Sequence, residues 1–137
     1  MNDNQPVRPS LTTADARPVG RDGVYVTASV NELAVAVAGG LSRLRVGAEV
    51  LPWTGPLAAV ALPPGSVLVV VSGDCGPALC LPMRRGGLEV VVLAALPREE
   101  EGHEFLRCGA AAYLPMDMDL STLADSIRRL KPRGQGP

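Results

Sequence analysis

The sequence predicts a three-layer α/β sandwich built on a parallel sheet, and three features carry that expectation. Two short β-branched apolar runs, Val67-Leu68-Val69-Val70-Val71 and Val90-Val91-Val92-Leu93, read as strands buried on both faces. Segments of helical periodicity alternate with such runs along the chain, which is the pattern of βα units. Turn signals at Pro63-Pro64-Gly65, Gly86-Gly87 and Cys108-Gly109 separate the segments.

Composition sets outer limits on function. At 137 residues the chain is one domain with tails. Hydrophobic residues make up 47%, but one Trp, two Tyr and one Phe supply little aromatic bulk, so the core is expected to be aliphatic. A net charge of −1 offers no electrostatic footprint for nucleic acid or an anionic membrane, and direct contact of this segment with either is not expected. Cys75, Cys80 and Cys108 are too few and too irregular for a disulfide framework, which points to a reducing cytoplasm. No charged leader opens the chain, and no run of about 18 apolar residues crosses it.

In chain order, residues 1–22 are polar, carry Pro6, Pro9 and Pro18, and read as a flexible N-terminal arm. Val24-Tyr25-Val26 is the first strand. A helix from about Glu32 to Leu44 follows, with Ser29 or Asn31 as its cap and Leu33, Val37, Leu41 and Leu44 as its buried face. Gly39-Gly40 weakens that helix by roughly 1 kcal/mol per glycine relative to alanine. A second strand fits Arg45 to Leu51, and a short second helix fits Thr54 to Leu62. The strand Val67–Val71 is central, Ser72–Pro77 is the loop at its carboxyl end, and Ala78 to Arg85 form a short helix. After Val90–Leu93, the acidic run Glu99-Glu100-Glu101 suits a helix first turn, where unpaired N–H groups carry partial positive charge. Ala110–Leu114 is the fifth strand, and Leu120, Leu123, Ile127 and Leu130 share one face of a last helix. The folded domain is expected over 23–131, with 132–137 as a tail or linker.

An apolar strand, a helix, Gly109-Ala110-x-x-Tyr113-Leu114 and an amphipathic helix together resemble the last third of a response-regulator receiver domain, closest to receivers of NarL/LuxR-type transcriptional regulators. The resemblance is specific over the last forty residues and colinear from about Val24. It implies a CheY/flavodoxin-like (βα)5 fold with strand order 2-1-3-4-5 and a shortened second helix. It also implies a site at the carboxyl ends of the strands, where an acidic pair and an acceptor Asp hold Mg²⁺ and a hydroxyl and a Lys contact the phosphoryl group.

Placed on that pattern, the acidic pair falls on Ala28 and Ser29, the acceptor on Val71 or Ser72, the switch hydroxyl on Ala94 and the Lys on Met116. None can do the corresponding chemistry, so the expectation is a receiver fold without phosphoryl transfer. Asp74 lies two or three residues past the strand, about 7–10 Å from the usual acceptor position, and reads as a cap or turn residue. Cys75 and Cys80 lack metal or redox spacing, and His103 among Glu99, Glu100, Glu101 and Glu104 reads as a solvated surface residue. Arg84-Arg85 and Arg128-Arg129 read as solvated or ion-paired faces. Paired carboxylates, a metal cluster and a nucleophile–base pair are all missing from the pattern, so no enzyme activity, catalytic residue, metal or cofactor is expected.

Binding is then left to carry the function. In the resembling receivers the fourth helix, fifth strand and fifth helix form the face that self-associates or touches an output domain. Here it would include Glu100, Glu104, Arg107, Tyr113, Asp117, Asp125 and Arg128, either as a homodimer surface or as ordinary surface charge. Small residues at the rim, Ala28, Ser29 and Ala94, with Met116, leave room for a small molecule. Two roles follow: the phosphorylation-independent module of a transcriptional regulator with a DNA-binding output domain in a longer chain, or a stand-alone protein-interaction adaptor.

Overall fold

The apolar runs are apolar because both of their faces are covered: each residue from Val67 to Val70 and from Val90 to Val92 is no more than 1% exposed. The computed structural model describes residues 23–53, 62–116 and 119–130. Its strands are β1 (Val24–Val26), β2 (Glu49–Val50), β3 (Val67–Val71), β4 (Glu89–Ala94) and β5 (Ala112–Pro115). The helices are α1 (Asn31–Arg43), α2 (Cys80–Arg85), α3 (Glu99–Arg107) and α4 (Leu120–Leu130), and short 3₁₀ turns at Ser72–Asp74 and Pro77–Leu79 lead into α2. All strand pairs are parallel and the sheet order is β2-β1-β3-β4-β5, as the sequence predicts.

Period-two alternation divides the core in two. Val24, Val26, Val67, Val69, Val91 and Leu93 pack on one side against Val37 and Leu41 of α1 and Leu123 and Ile127 of α4. Leu68, Val70, Val90 and Val92 pack on the other side against Cys80 and Met83 of α2 and Phe105 of α3. The predicted faces of α1 and α4 hold, with Leu33, Leu44, Leu120 and Leu130 partly buried at their edges.

Several boundaries differ from the sequence reading, each for a local reason. The second strand is only Glu49–Val50 because the end of α1 uses the backbone expected for it. Arg45 adopts a left-handed conformation (φ 70°), and the N–H groups of Leu44, Arg45 and Val46 turn back to the carbonyls of Leu41, Ser42 and Leu41. Neither Ser29 nor Asn31 caps α1: the cap position is Val30, which makes no side-chain cap bond, and Asn31 is already helical. The fifth strand starts at Ala112 because Gly109 (φ 114°) stops α3 and the Ala110 N–H returns to the Phe105 carbonyl. The helix expected from Ala78 begins as a 3₁₀ turn and becomes α-helical at Cys80. The second helix expected over Thr54–Leu62 lies outside the described residues except for Leu62, which is not helical, and the expected arm 1–22 and tail 132–137 lie outside them as well.

The paired glycines of α1 do different things. A Cβ at Gly40 would stand 2.2 Å from Leu120 Cδ1, so the α1–α4 contact uses its missing side chain, whereas a Cβ at Gly39 would meet nothing within 4 Å. For the chain diluted to the monomer, substituting Gly39→Ala is therefore expected to raise unfolding stability by roughly 0.5–1 kcal/mol, the helix-propensity difference alone. Urea unfolding followed by circular dichroism measures it, and a loss of stability would mean that the space beside Gly39 is filled.

Candidate functional site

The carboxyl ends of β1, β3, β4 and β5 bring the loops after them to one rim, the place where parallel sheets hold their sites. The rim positions singled out in the sequence are placed there, and most are filled with apolar matter. Ala28 is 2% exposed and Ala94 is fully buried. Val71 and Met116 pack at the edge of the α1–α4 core, and the Met116 N–H bonds to the Ala94 carbonyl. Ser72 and Asp74 occupy the 3₁₀ turn after β3.

Asp74 does not cap the helix that follows it, nor does it serve its own turn. Its carboxylate crosses to the loop after β1, where the Ser29 N–H donates to Oδ2 at 2.9 Å and the Ser29 hydroxyl donates to Oδ1 at 2.6 Å. Charge-assisted bonds of this kind are shorter and stronger than neutral ones, which explains why Ser29 serves Asp74 rather than α1. The pair joins segments 45 residues apart, and the bond to the hydroxyl could have been suspected only from knowing that the two loops meet. Thr27 was missed altogether: it is 2% exposed, and its Oγ1 has no hydrogen-bond partner among the described residues. A hydroxyl so placed costs about 1–3 kcal/mol.

The Mg²⁺ that the receiver pattern implies does not fit this donor set. A divalent cation of that size wants several hard oxygens in octahedral array. Among the rim residues singled out, Asp74 is the single carboxylate; it stands in the turn past β3 and already accepts two bonds from Ser29. Among the described residues no cluster of His, Cys, Asp and Glu is suited to holding a metal ion.

Space for a small molecule, expected over Ala28, Ser29, Ala94 and Met116, is present at a neighbouring part of the rim. An open depression of about 470 Å³ sits between the ends of β3 and β4, lined by Val71, Ser72, Gly73, Ala95, Leu96, Arg98 and Glu101. Leu96 is 82% exposed beside it.

Tyr113 turns inward, toward α3, instead of presenting its hydroxyl to a partner. Its ring stacks on Phe105 (centroids 5.8 Å apart, 26° between planes), and its hydroxyl accepts from the Arg98 N–H at 3.1 Å and donates to Glu101. Burial and then the Glu101 bond raise the Tyr113 pKa above its ordinary value. The ring fits because α3 carries Gly102, where a Cβ would lie 2.9 Å from Tyr113 Cδ2. Glu100, Glu104 and Arg107 are exposed on α3, and Asp125 and Arg128 on α4. The structure resolves them into separate intrahelical pairs: Arg107 with Glu104, and Arg128 with Asp125 at 2.8 Å, Arg128 also donating to the Leu44 carbonyl. Asp117 lies outside the described residues. His103 is exposed, as expected.

All three thiols are free and lie against the α2–α3 side of the core. Burial, with Cys80 nearby, pushes the Cys75 thiol up to about 12, and burial with Cys108 nearby pushes Cys80 up to about 11.

An open parallel sheet in the order 2-1-3-4-5, with helices on both faces, defines a flavodoxin-like doubly wound α/β domain. Within that class, the chain has the fold of a response-regulator receiver domain. It is similar to a two-component response regulator from Clostridium difficile (TM-score 0.65, 12% identity, covering 85% of this chain and 100% of the other). It is also similar to a DNA-binding response regulator of the LuxR family from Staphylococcus aureus (TM-score 0.59, 14% identity, 80% and 98% covered). A third likeness is to a structure described as a pilus assembly protein from Burkholderia thailandensis (TM-score 0.61, 13% identity, 82% and 99% covered). No protein-family model matches the chain, and no curated protein matches it in sequence. Among the described residues no helix is long and apolar enough to cross a membrane.

Two outcomes follow from these contacts. Gly102→Ala is expected to destabilise the protein by about 1–3 kcal/mol in urea unfolding, because the added methyl drives the Tyr113 ring off α3; an unchanged midpoint would show that the ring is not held there. At pH 8, well below the raised values, Cys75 and Cys80 hold almost no thiolate, and thiolate is the form that reacts. Both should resist iodoacetamide in the native protein and react once it is unfolded in urea, as read by mass spectrometry of peptides; fast native labelling of Cys75 would contradict its burial.

Proposed function

We propose that residues 23–131 form a receiver-fold regulatory module of a transcriptional regulator that works by recognition, without phosphoryl transfer. The observation that carries this reading is that Asp74, the single carboxylate among the rim residues singled out, stands in the turn past β3 and is tied to Ser29 of the loop after β1. Phosphoryl transfer to an aspartate needs, besides that nucleophile, a metal ion to offset the charge on the phosphoryl oxygens, and further carboxylates to hold the metal. Ala28, Val71 or Ser72, Ala94 and Met116 supply none of the other groups that such a site would use. The regulatory assignment is supported by the likeness to the LuxR-family regulator, whose own description includes DNA binding. Output passes through contact with a second copy, with a DNA-binding domain in a longer chain, or with a small molecule seated at the rim depression. A second reading, an interaction adaptor with no DNA-binding output, is favoured by the likeness to the pilus assembly protein.

Incubation with Mg²⁺ and acetyl phosphate tests the central claim. Intact-mass spectra taken at once are expected to show no phosphoryl adduct, in wild type and in Asp74→Asn alike. An adduct on the wild type that vanishes in Asp74→Asn would assign Asp74 as an acceptor and end the phosphorylation-independent reading.

A further inference from the structure

We infer that a second copy of this chain docks antiparallel along the outer face of α1, about a two-fold axis passing between Val37 and Ala38. The inference rests on the homodimer reading above and replaces the surface first expected for it. Seen down α1, Glu32, Ala36, Gly39 and Arg43 fall on one side at spacings of three and four residues, with Val35 at its edge, and all five are exposed.

Three features of this face have no explanation among the described residues of one chain. Gly39 stands in the middle of a helix, where glycine costs about 1 kcal/mol relative to alanine, yet a Cβ there would meet nothing within 4 Å. The neighbouring Gly40 is required by Leu120 and the helical Gly102 by Tyr113; Gly39 is required by nothing internal. Val35 is 52% exposed although it belongs to a well-packed helix. Glu32 in the first turn and Arg43 in the last turn have no ion-pair or hydrogen-bond partner among the described residues.

A two-fold axis at that point relates each position to the one that sums with it to 75. Glu32 then meets Arg43 of the second copy at both ends of the contact, and Ala36 meets Gly39 of the second copy near its centre. Such an isologous interface satisfies two ion pairs with one surface. The absent side chain at Gly39 lets the helix axes approach toward the close end of the usual range of about 8–10 Å and leaves a hollow for Val35 of the other copy. The competing face on α3, β5 and α4 also exposes Glu100 and Leu106, but among its described residues it offers no unpaired cation to match the acid. Its described cations Arg107 and Arg128 already pair within their own helices, and Tyr113 is engaged by Glu101 and Arg98.

Sedimentation velocity on the full 137-residue chain and its variants decides the matter. Wild type is expected to dimerise. Glu32→Arg and Arg43→Glu should each weaken the dimer by about tenfold or more, since each sets like charges together at both ends. Mixing these two variants should restore a heterodimer, because every like-charge contact then becomes an opposite pair, and the double variant should restore the homodimer. Gly39→Leu should abolish the dimer and leave a monomer with the native circular dichroism spectrum and a melting temperature that no longer depends on protein concentration, because the position is open among the described residues. A chain that stays monomeric at about 100 µM, well above the micromolar range of an ordinary specific dimer, would overturn both this inference and the homodimer reading. A dimer indifferent to the α1 variants but broken by Leu106→Glu on α3 would overturn this inference alone.

Discussion

Burial of β3 and β4 on both faces is the constraint on which the rest of the molecule depends. Residues that pair through Val67↔Glu89 to Val71↔Leu93 must be covered by α1 and α4 on one side and by α2 and α3 on the other. A strand that is apolar on alternate positions only would need one layer of helices. These strands are apolar throughout, so helices must cover both faces, the arrangement that crossover connections between parallel strands supply. The order 2-1-3-4-5 then brings the loops after β1 and β3 side by side at the point where the winding reverses, and this adjacency makes the Ser29–Asp74 contact available.

What the sequence reveals, and what it conceals, follows from the range of each interaction. Runs such as Val90–Val92 and the spacing of Leu123 and Ile127 report burial directly, so β3, β4 and α4 are legible from periodicity. The length of β2 is not, because it depends on Arg45 adopting a conformation that glycine more often supplies; the residue name gives no warning. Asp74 looks like a turn residue because its neighbours Gly73 and Gly76 suggest a turn. Its real partner is far away in the chain, and local chemistry at both ends favoured a nearer backbone N–H donor. Tyr113 was legible as the aromatic of the fifth strand, but not its direction, which is set by the missing side chain of Gly102 on α3.

The two ties at the rim also bear on how the proposed regulatory module would respond to a ligand. Ser29–Asp74 holds the loop after β1 to the turn after β3, and the Tyr113 hydroxyl holds the end of β5 to the start of α3 through Arg98 and Glu101. A ligand shifts a conformational equilibrium only by as much as it binds the two states differently. Here an alternative rim must give up both ties, at about 1.5–3 kcal/mol for each bond to a charged group, less where solvent competes. A ligand in the depression beside Leu96 touches Arg98 and Glu101 themselves, so it can weaken the second tie directly while leaving the first intact.

A rim held in this way shifts the burden of regulation toward surfaces that do not need to rearrange. The glycines of the helices indicate which surface that is. Gly40 and Gly102 each make room for a side chain of the same chain, and their cost in helix propensity is offset by the packing of Leu120 and Tyr113. Gly39 has the same cost and no such return within the monomer. It sits between an acid and a base that have no partner among the described residues, at opposite ends of α1, so charge and shape would fit the proposed second copy in the reverse direction. A contact of this kind needs only the rigid scaffold to present α1, and rigidity at the rim then becomes an asset, because a preorganised face loses little entropy on association.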